Sequence, residues 1–184
     1  MLNKNWVFLI IMLILTSFVL SKVAFNTLDK NIKMTISQNK KSIKTIDQKY
    51  DIKNKKSYFI DIIDFESKNS FVHSKLGNLG FSKDFFVDFE FTIELKKDEE
   101  IVFGIESDDG FALFINSKEL FSFKKDRPMT LSKKSVSMKK GIHNIKIKYY
   151  QGYGQMGIRA FYKSDNKTVF IGQDSDNIKF KKFK

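Results

Sequence analysis

A chain of 184 residues, 42% of them hydrophobic and 20 of them Phe, has the apolar surface for one packed domain; it excludes global disorder and leaves no room for two ordinary domains. The formal charge is +12, but all except Arg127 and Arg159 of the 33 basic residues are lysine, many alternating with apolar residues as in NIKIKYY (Asn144 to Tyr150). Such lysines read as solvated strand faces, and no nucleic-acid partner is expected where the guanidinium fork is so scarce. The absence of cysteine excludes a disulfide framework, a thiolate nucleophile and a Cys-ligated zinc.

The chain opens on MLNKNWVFLIIMLILTSFVLSKVAF, in which Trp6 to Leu20 carry no charge between Lys4 and Lys22. Residues 1–25 are expected to form a hydrophobic helix that serves as a membrane anchor, or as a signal peptide cleaved after Ser21. The uncharged run is short for a transmembrane helix, which wants about 20 apolar residues, and long for a signal-peptide core. Lys22, Lys30, Lys33, Lys40 and Lys41 follow the helix and by the positive-inside rule would hold the remainder in the cytoplasm. Long segments translocate largely regardless of charge, so the expectation is a membrane-anchored chain with an exported, periplasmic or extracytoplasmic, C-terminal domain, or a secreted one after cleavage.

Residues 26–57 are polar and Lys-rich, without sustained periodicity, and read as a stalk or linker. From Tyr58 to the end, residues 58–184, the pattern is one of strands. FFVDFEFTIEL (Phe85 to Leu95) alternates strictly, with Phe85, Val87, Phe89, Phe91, Ile93 and Leu95 on one face. IVFGIE, FALFIN, ELFSF, SVSM, HNIKIKYY, GIRAFYK and TVFIG follow, separated by the turn signals KKDEE, SDDG, NSK, KKG, QGYGQM and KSDNK. Short strands at this spacing, with no helical stretch after the first block, predict an all-β fold, an antiparallel β-sandwich preceded by one N-terminal hydrophobic helix. The terminal KFKKFK reads as a lysine-protected edge strand or a contact for an anionic surface.

Two signals together carry a resemblance. FGIESDDGFALFINSKEL, then a polar loop, then KKGIHNIKIKYYQGYGQMGIRAFYK resembles the anthrax protective-antigen (PA-14) domain family, which includes flocculin and adhesin lectin domains and inserts in some glycosidases. The resemblance covers roughly Phe85 to Lys163. It implies a β-sandwich that binds glycans or partner proteins rather than catalysing a reaction. In sugar-binding members the acids matching Asp108 and Asp109 are joined by a cis peptide and hold a calcium ion that touches sugar hydroxyls. A further loop supplies an Asn side chain and carbonyls; here that loop is QGYGQMG, with Gln151 about where the Asn would stand.

The resemblance therefore implies calcium as cofactor, Asp108, Asp109 and Gln151 as its ligands, and Gln151, Gly152, Tyr153 and Gly154 as the ligand-binding loop. Read from the residues alone, Asp-Gly between alternating runs is a hairpin turn with Gly110 at positive φ. Tyr153 either stacks on a sugar face or packs at the base of its loop. Calcium wants 6 to 8 oxygens, so two acids cannot fill its shell alone.

No catalytic residue is assigned. His73 and His143 lack a visible partner, no nucleophile elbow is present, and adjacent acids on one turn do not straddle a glycosidic bond. The expected function is a noncatalytic, envelope-associated glycan-binding module, calcium-dependent by resemblance, with a glycan or an envelope protein as partner and the membrane reached through the N-terminal helix. The alternative is a structural or protein-interaction module without metal.

Overall fold

The computed structural model describes residues 4–25 and 30–183. Its elements are helix α1 (Lys4–Phe25) and strands β1 (Ile32–Asn39), β2 (Ile52–Ile60), β3 (Asp64–Lys68), β4 (Val72–His73), β5 (Gly77–Asn78), β6 (Phe85–Leu95), β7 (Glu99–Asp108), β8 (Phe111–Ile115), β9 (Lys118–Phe123), β10 (Thr130–Met138), β11 (Gly141–Gln151), β12 (Met156–Ser164), β13 (Lys167–Phe170) and β14 (Ile178–Phe180). The alternation read in FFVDFEFTIEL is β6: its six alternate apolar residues are buried, while Asp88, Glu90, Thr92 and Glu94 are half-exposed.

Strand β6 lies inside a seven-stranded sheet of order β2-β1-β6-β11-β8-β9, with β14 also paired to β6. A five-stranded sheet of order β10-β7-β12-β13, with β3 also on β12, packs across from it, and β4 and β5 pair as a small ribbon. Inner residues of both sheets, among them Phe89 and Ile147 from one and Phe103 and Ile158 from the other, form one continuous core. The all-β sandwich expected from the pattern is the observed fold.

Two connections are tight hairpins within a sheet. Asn116 and Ser117 join β8 to β9, and Asp165 and Asn166 join β12 to β13, each pair with both φ angles positive as a two-residue primed turn requires. The links β6 to β7, β7 to β8, β9 to β10, β10 to β11 and β11 to β12 instead pass from one sheet to the other. This alternation brings distant loops together at the ends of the sandwich.

Two expectations need correction. The segment read as a linker, residues 26–57, contributes an internal strand over its described part: β1 pairs β6 on one side and β2 on the other. Ile32, Met34 and Ile36 point into the core at 0% exposure, and Thr35 and Ser57 hydrogen-bond across the strands at 3.1 Å. The signal was a three-member Ile-x-Met-x-Ile alternation masked by the lysines of β2, which form a solvated edge. Residues 26–29 lie outside the described residues.

The second correction concerns the membrane anchor. Among the described residues no helix is long and apolar enough to cross a membrane. The uncharged run Trp6 to Leu20 stops short of the about 20 residues that a span needs. The described side chains of α1 are nonetheless exposed, Trp6, Phe8 and Leu13 at 64%, 65% and 67%.

Because β1 is internal, Met34→Ala should destabilise the fold by about 2–5 kcal/mol, measured as a lowered urea midpoint, as for a fully buried core side chain. A chain beginning at Tyr58 should fail to show a cooperative unfolding transition by circular dichroism.

Candidate functional site

Three of the sheet-to-sheet links converge at one end of the sandwich. The pairings Gly157 with Asp108, Thr130 with Ser107, Tyr149 with Phe111 and Gln151 with Phe85 bring the β7–β8 corner, the β9–β10 loop and the β11–β12 loop side by side. Asp108, Asp109 and Gly110 form the first of these. The peptide between the two acids is cis, as the resemblance implies.

The hairpin reading of this corner is not what forms. β7 and β8 belong to different sheets, and Gly110 is not at positive φ; it is required for room. A Cβ there would lie 2.5 Å from the Tyr150 ring and 2.6 Å from the Phe123 carbonyl. Asp-Gly thus marks a corner where backbone passes close to an aromatic ring.

Asp109 binds the two neighbouring loops to the corner. Its Oδ2 accepts the Gly152 amide at 2.9 Å and its Oδ1 the Arg127 amide at 3.4 Å, while Ser107 Oγ donates to its carbonyl at 2.6 Å. Gly152 is needed for its own approach, since a Cβ would lie 2.9 Å from the Ile43 carbonyl. Its carbonyl in turn accepts the Asp84 amide at 2.9 Å.

Arg127, which the sequence reading passed over, is the cation of the site. Its Nη2 donates to Ser107 Oγ and its Nη1 to Ser132 Oγ, both at 2.8 Å, and its Nε to the Ser107 carbonyl at 3.2 Å. The guanidinium also lies over the rings of Phe123 and Phe111, 4.6 and 5.1 Å from their centroids. The available signal was its rarity, one of two arginines among 33 basic residues, at a position where a flat, multiply donating group was needed.

The predicted loop residues divide. Gln151 is fully buried and faces inward: its Oε1 is 2.6 Å from the Tyr149 hydroxyl, and its Nε2 donates to the Gln155 carbonyl at 2.8 Å. The same hydroxyl also reaches the Asp108 carbonyl; with one proton to give, it donates to one of the two at a time. Gln151 therefore braces the loop from beneath instead of presenting an oxygen outward. Tyr153 is 86% exposed, so it does not pack at the loop base. Gly154, with φ +99, turns the chain beside it. The two histidines stand apart from this end: His73 Nδ1 accepts the Lys75 amide, and His143 bonds to Asn116 and the Lys139 carbonyl.

Burial, then repulsion from Asp109, pushes the Asp108 carboxyl up to about 6, against the opposing pull of Arg127 and the Met129 amide. Burial also raises Asp109, resisted chiefly by the Gly152 amide. As they stand, these groups offer a calcium ion an incomplete oxygen shell. Both Asp109 oxygens already accept backbone N–H groups, the Gln151 oxygen is turned onto a tyrosine, and Arg127 supplies positive charge beside Asp108. Among the described residues no group of three or more His, Asp or Glu could hold a metal, whereas calcium takes 6 to 8 oxygens.

The PA14 domain model matches residues 21–174, most of the chain. The chain belongs to the PA14 domain family. Among solved structures, this PA14 chain is similar to an anti-sigma factor domain-containing protein (TM-score 0.60, 17% identity), covering 79% of this chain and 46% of that one. It is similar to a PA14 sugar-binding domain from an RTX adhesin (TM-score 0.59, 12% identity), covering 85% of this chain and 96% of that one. It is also similar to the epithelial adhesin 6 A domain of Candida glabrata, solved with Galb1-3GlcNAc (TM-score 0.56, 10% identity), covering 82% and 87%. At these identities the likeness shows the fold alone. No curated protein matches the chain. Its PA14 sandwich spans less than half of the first of these structures.

The raised Asp108 carboxyl makes a signed prediction. A folded value of about 6 above an ordinary 3.8 means that the stability contribution is present below about pH 4 and is lost as pH rises through 6. Asp108→Asn keeps an acceptor for the Met129 amide and removes the buried charge. It should therefore match wild type near pH 4 and exceed it at pH 8, by at most about 3 kcal/mol at about 1.4 kcal/mol per pKa unit, read from urea unfolding at each pH.

Proposed function

We propose that this PA14 chain is a noncatalytic glycan-binding module that works outside the cytoplasm, with its apolar N-terminal segment as the export element. The observation that carries the reading is the end of the sandwich where the nearly buried carboxylates of Asp108 and Asp109 stand on one crossover and the exposed ring of Tyr153 on the next. The exposed Tyr153 ring offers a face on which a sugar ring stacks, and the carboxylate lone pairs that backbone amides leave open accept hydrogen bonds from sugar hydroxyls. Similarity to adhesin domains, one named as sugar-binding and one solved with a disaccharide, supports this reading.

A hydrolytic role is disfavoured by geometry. Asp108 and Asp109 are neighbours on one corner, and retaining or inverting hydrolysis needs two carboxyl groups on opposite sides of the scissile bond, about 5 Å apart or more. In this reading recognition runs without calcium. Asp109 is already committed to backbone amides and Arg127 supplies the compensating charge, so the corner is organised by the protein itself.

A glycan array probed with the full chain, once with calcium and once with chelator, tests both parts. The expected outcome is binding that is equal in the two conditions and about 3- to 10-fold weaker in Tyr153→Ala at unchanged melting temperature, the loss of one stacking contact. Binding that appears with calcium alone, together with a calcium-induced rise in melting temperature, would overturn the metal-independent reading; binding to no glycan would leave a protein-docking module.

A further inference from the structure

The outer face of the five-stranded sheet carries a hollow at Gly104. Of the nine glycines, eight are demanded by the fold: Gly77, Gly80, Gly141, Gly154 and Gly172 by positive φ, and Gly110, Gly152 and Gly157 by backbone or ring atoms within 3.0 Å of a would-be Cβ. Gly104 is different. Its φ is ordinary, and a Cβ would meet Leu131 at 3.6 Å, Lys133 at 3.8 Å and Phe161 at 4.0 Å, all normal packing distances. Glycine in the interior of a strand weakens it and, where the fold does not need it, marks a place for something else to approach.

Register shows what surrounds the gap. Lys133 pairs with Gly104, Gly104 with Phe161 and Phe161 with Phe170, so these four form one row across the sheet. The next row on the same face holds Ser135, Val102, Lys163 and Thr168. The hollow has a volume of about 260 Å³, walled by Leu131, Phe161, Lys133 and Lys163. The Phe161 ring lies 4.7 Å from that of Phe170 at a tilt of 34°, with the Arg159 guanidinium 5.5 Å from its centroid, and these contacts hold it in place.

Charge selects the occupant. Arg159 on this face is neutralised by Asp64 at 2.9 Å and Glu106 at 3.6 Å. Among the described residues neither the Lys133 nor the Lys163 side chain has an ion-pair or hydrogen-bond partner, so two unmet positive charges flank an aromatic wall.

We propose that the Gly104 hollow is a second saccharide site, taking an acidic sugar unit of the uronate class with its ring face on Phe161 and its carboxylate between Lys133 and Lys163. The site uses neither acid of the Asp108 corner and does not depend on that corner binding a ligand. An aromatic face with a carboxylate-binding cation pair distinguishes a uronate from a neutral hexose, because a neutral ring leaves both ammonium groups unengaged.

The test is calorimetric titration of the full chain with tri-galacturonate and with its methyl ester, in chelator. Wild type should bind the acid at least about tenfold more tightly than the ester, and the affinity should fall as salt screens the lysines. Gly104→Ala, which places a methyl group on the floor of the hollow, should weaken binding about tenfold while melting no lower than wild type, and Lys133→Gln with Lys163→Gln should do the same should the alanine variant misfold. Tyr153→Ala, which alters the loop end at unchanged melting temperature, should leave this binding intact, which separates the site from the corner. The proposal is overturned by no binding of tri-galacturonate, by equal binding of acid and ester, by Gly104→Ala binding as wild type, or by polyglutamate or RNA competing as well as the uronate.

Discussion

The Asp109 carboxylate joins three crossovers that the chain reaches at widely separated positions. By accepting the amides of Gly152 and Arg127 it ties the β11–β12 and β9–β10 loops to the β7–β8 corner. Without such a tie each loop would have to satisfy its own backbone groups with water, and the end of the sandwich would have no defined surface. Ser107 extends the tie, donating a hydrogen bond to the Asp109 carbonyl while its own oxygens accept from Arg127. The cost is two nearly buried carboxyl groups, and their elevated pKa values record it.

That arrangement explains why the corner is built from the protein's own cation. A guanidinium has five donors in a plane, enough to reach two serines and a carbonyl while its faces rest on Phe111 and Phe123. A lysine could supply the charge but not the fork or the flat contact. The same logic makes Gln151 an internal brace: placed at the end of β11 with its side chain fully buried, its amide must be satisfied internally, and Tyr149 and Gln155 do so.

The two faces of the molecule then have different characters. The loop end is crowded, hydrogen-bonded and acidic at its centre, with Tyr153 projecting from it. The outer face of the five-stranded sheet carries aromatic rings, Arg159 matched by Asp64 and Glu106, the side chains of Lys133 and Lys163, and one unfilled position at Gly104. A single PA14 sandwich can carry both because its core is made by the inner faces alone, which leaves the end loops and the outer faces free to vary without cost to the fold.

The strand pattern was legible because period-two alternation is a local property. In β6 every second residue is apolar, and each is buried. The acid pair and the QGYGQMG loop were legible as motifs. β1 was not, because its three apolar residues sit among lysines, and only pairing with β6 makes Ile32, Met34 and Ile36 a core face. Arg127 was not, because its role depends on Ser107 and Ser132, which a polar loop gives no reason to connect. The corner was misread as a hairpin because Asp-Gly permits either, and the choice between returning in one sheet and crossing to the other is made by strand partners far along the chain. By itself the sequence determined strands β6 to β13, the fold class and the family; tertiary structure decided that β1 and β2 join the sheet and which groups face out, since burial and hydrogen-bond partners belong to contacts between segments and not to any one of them.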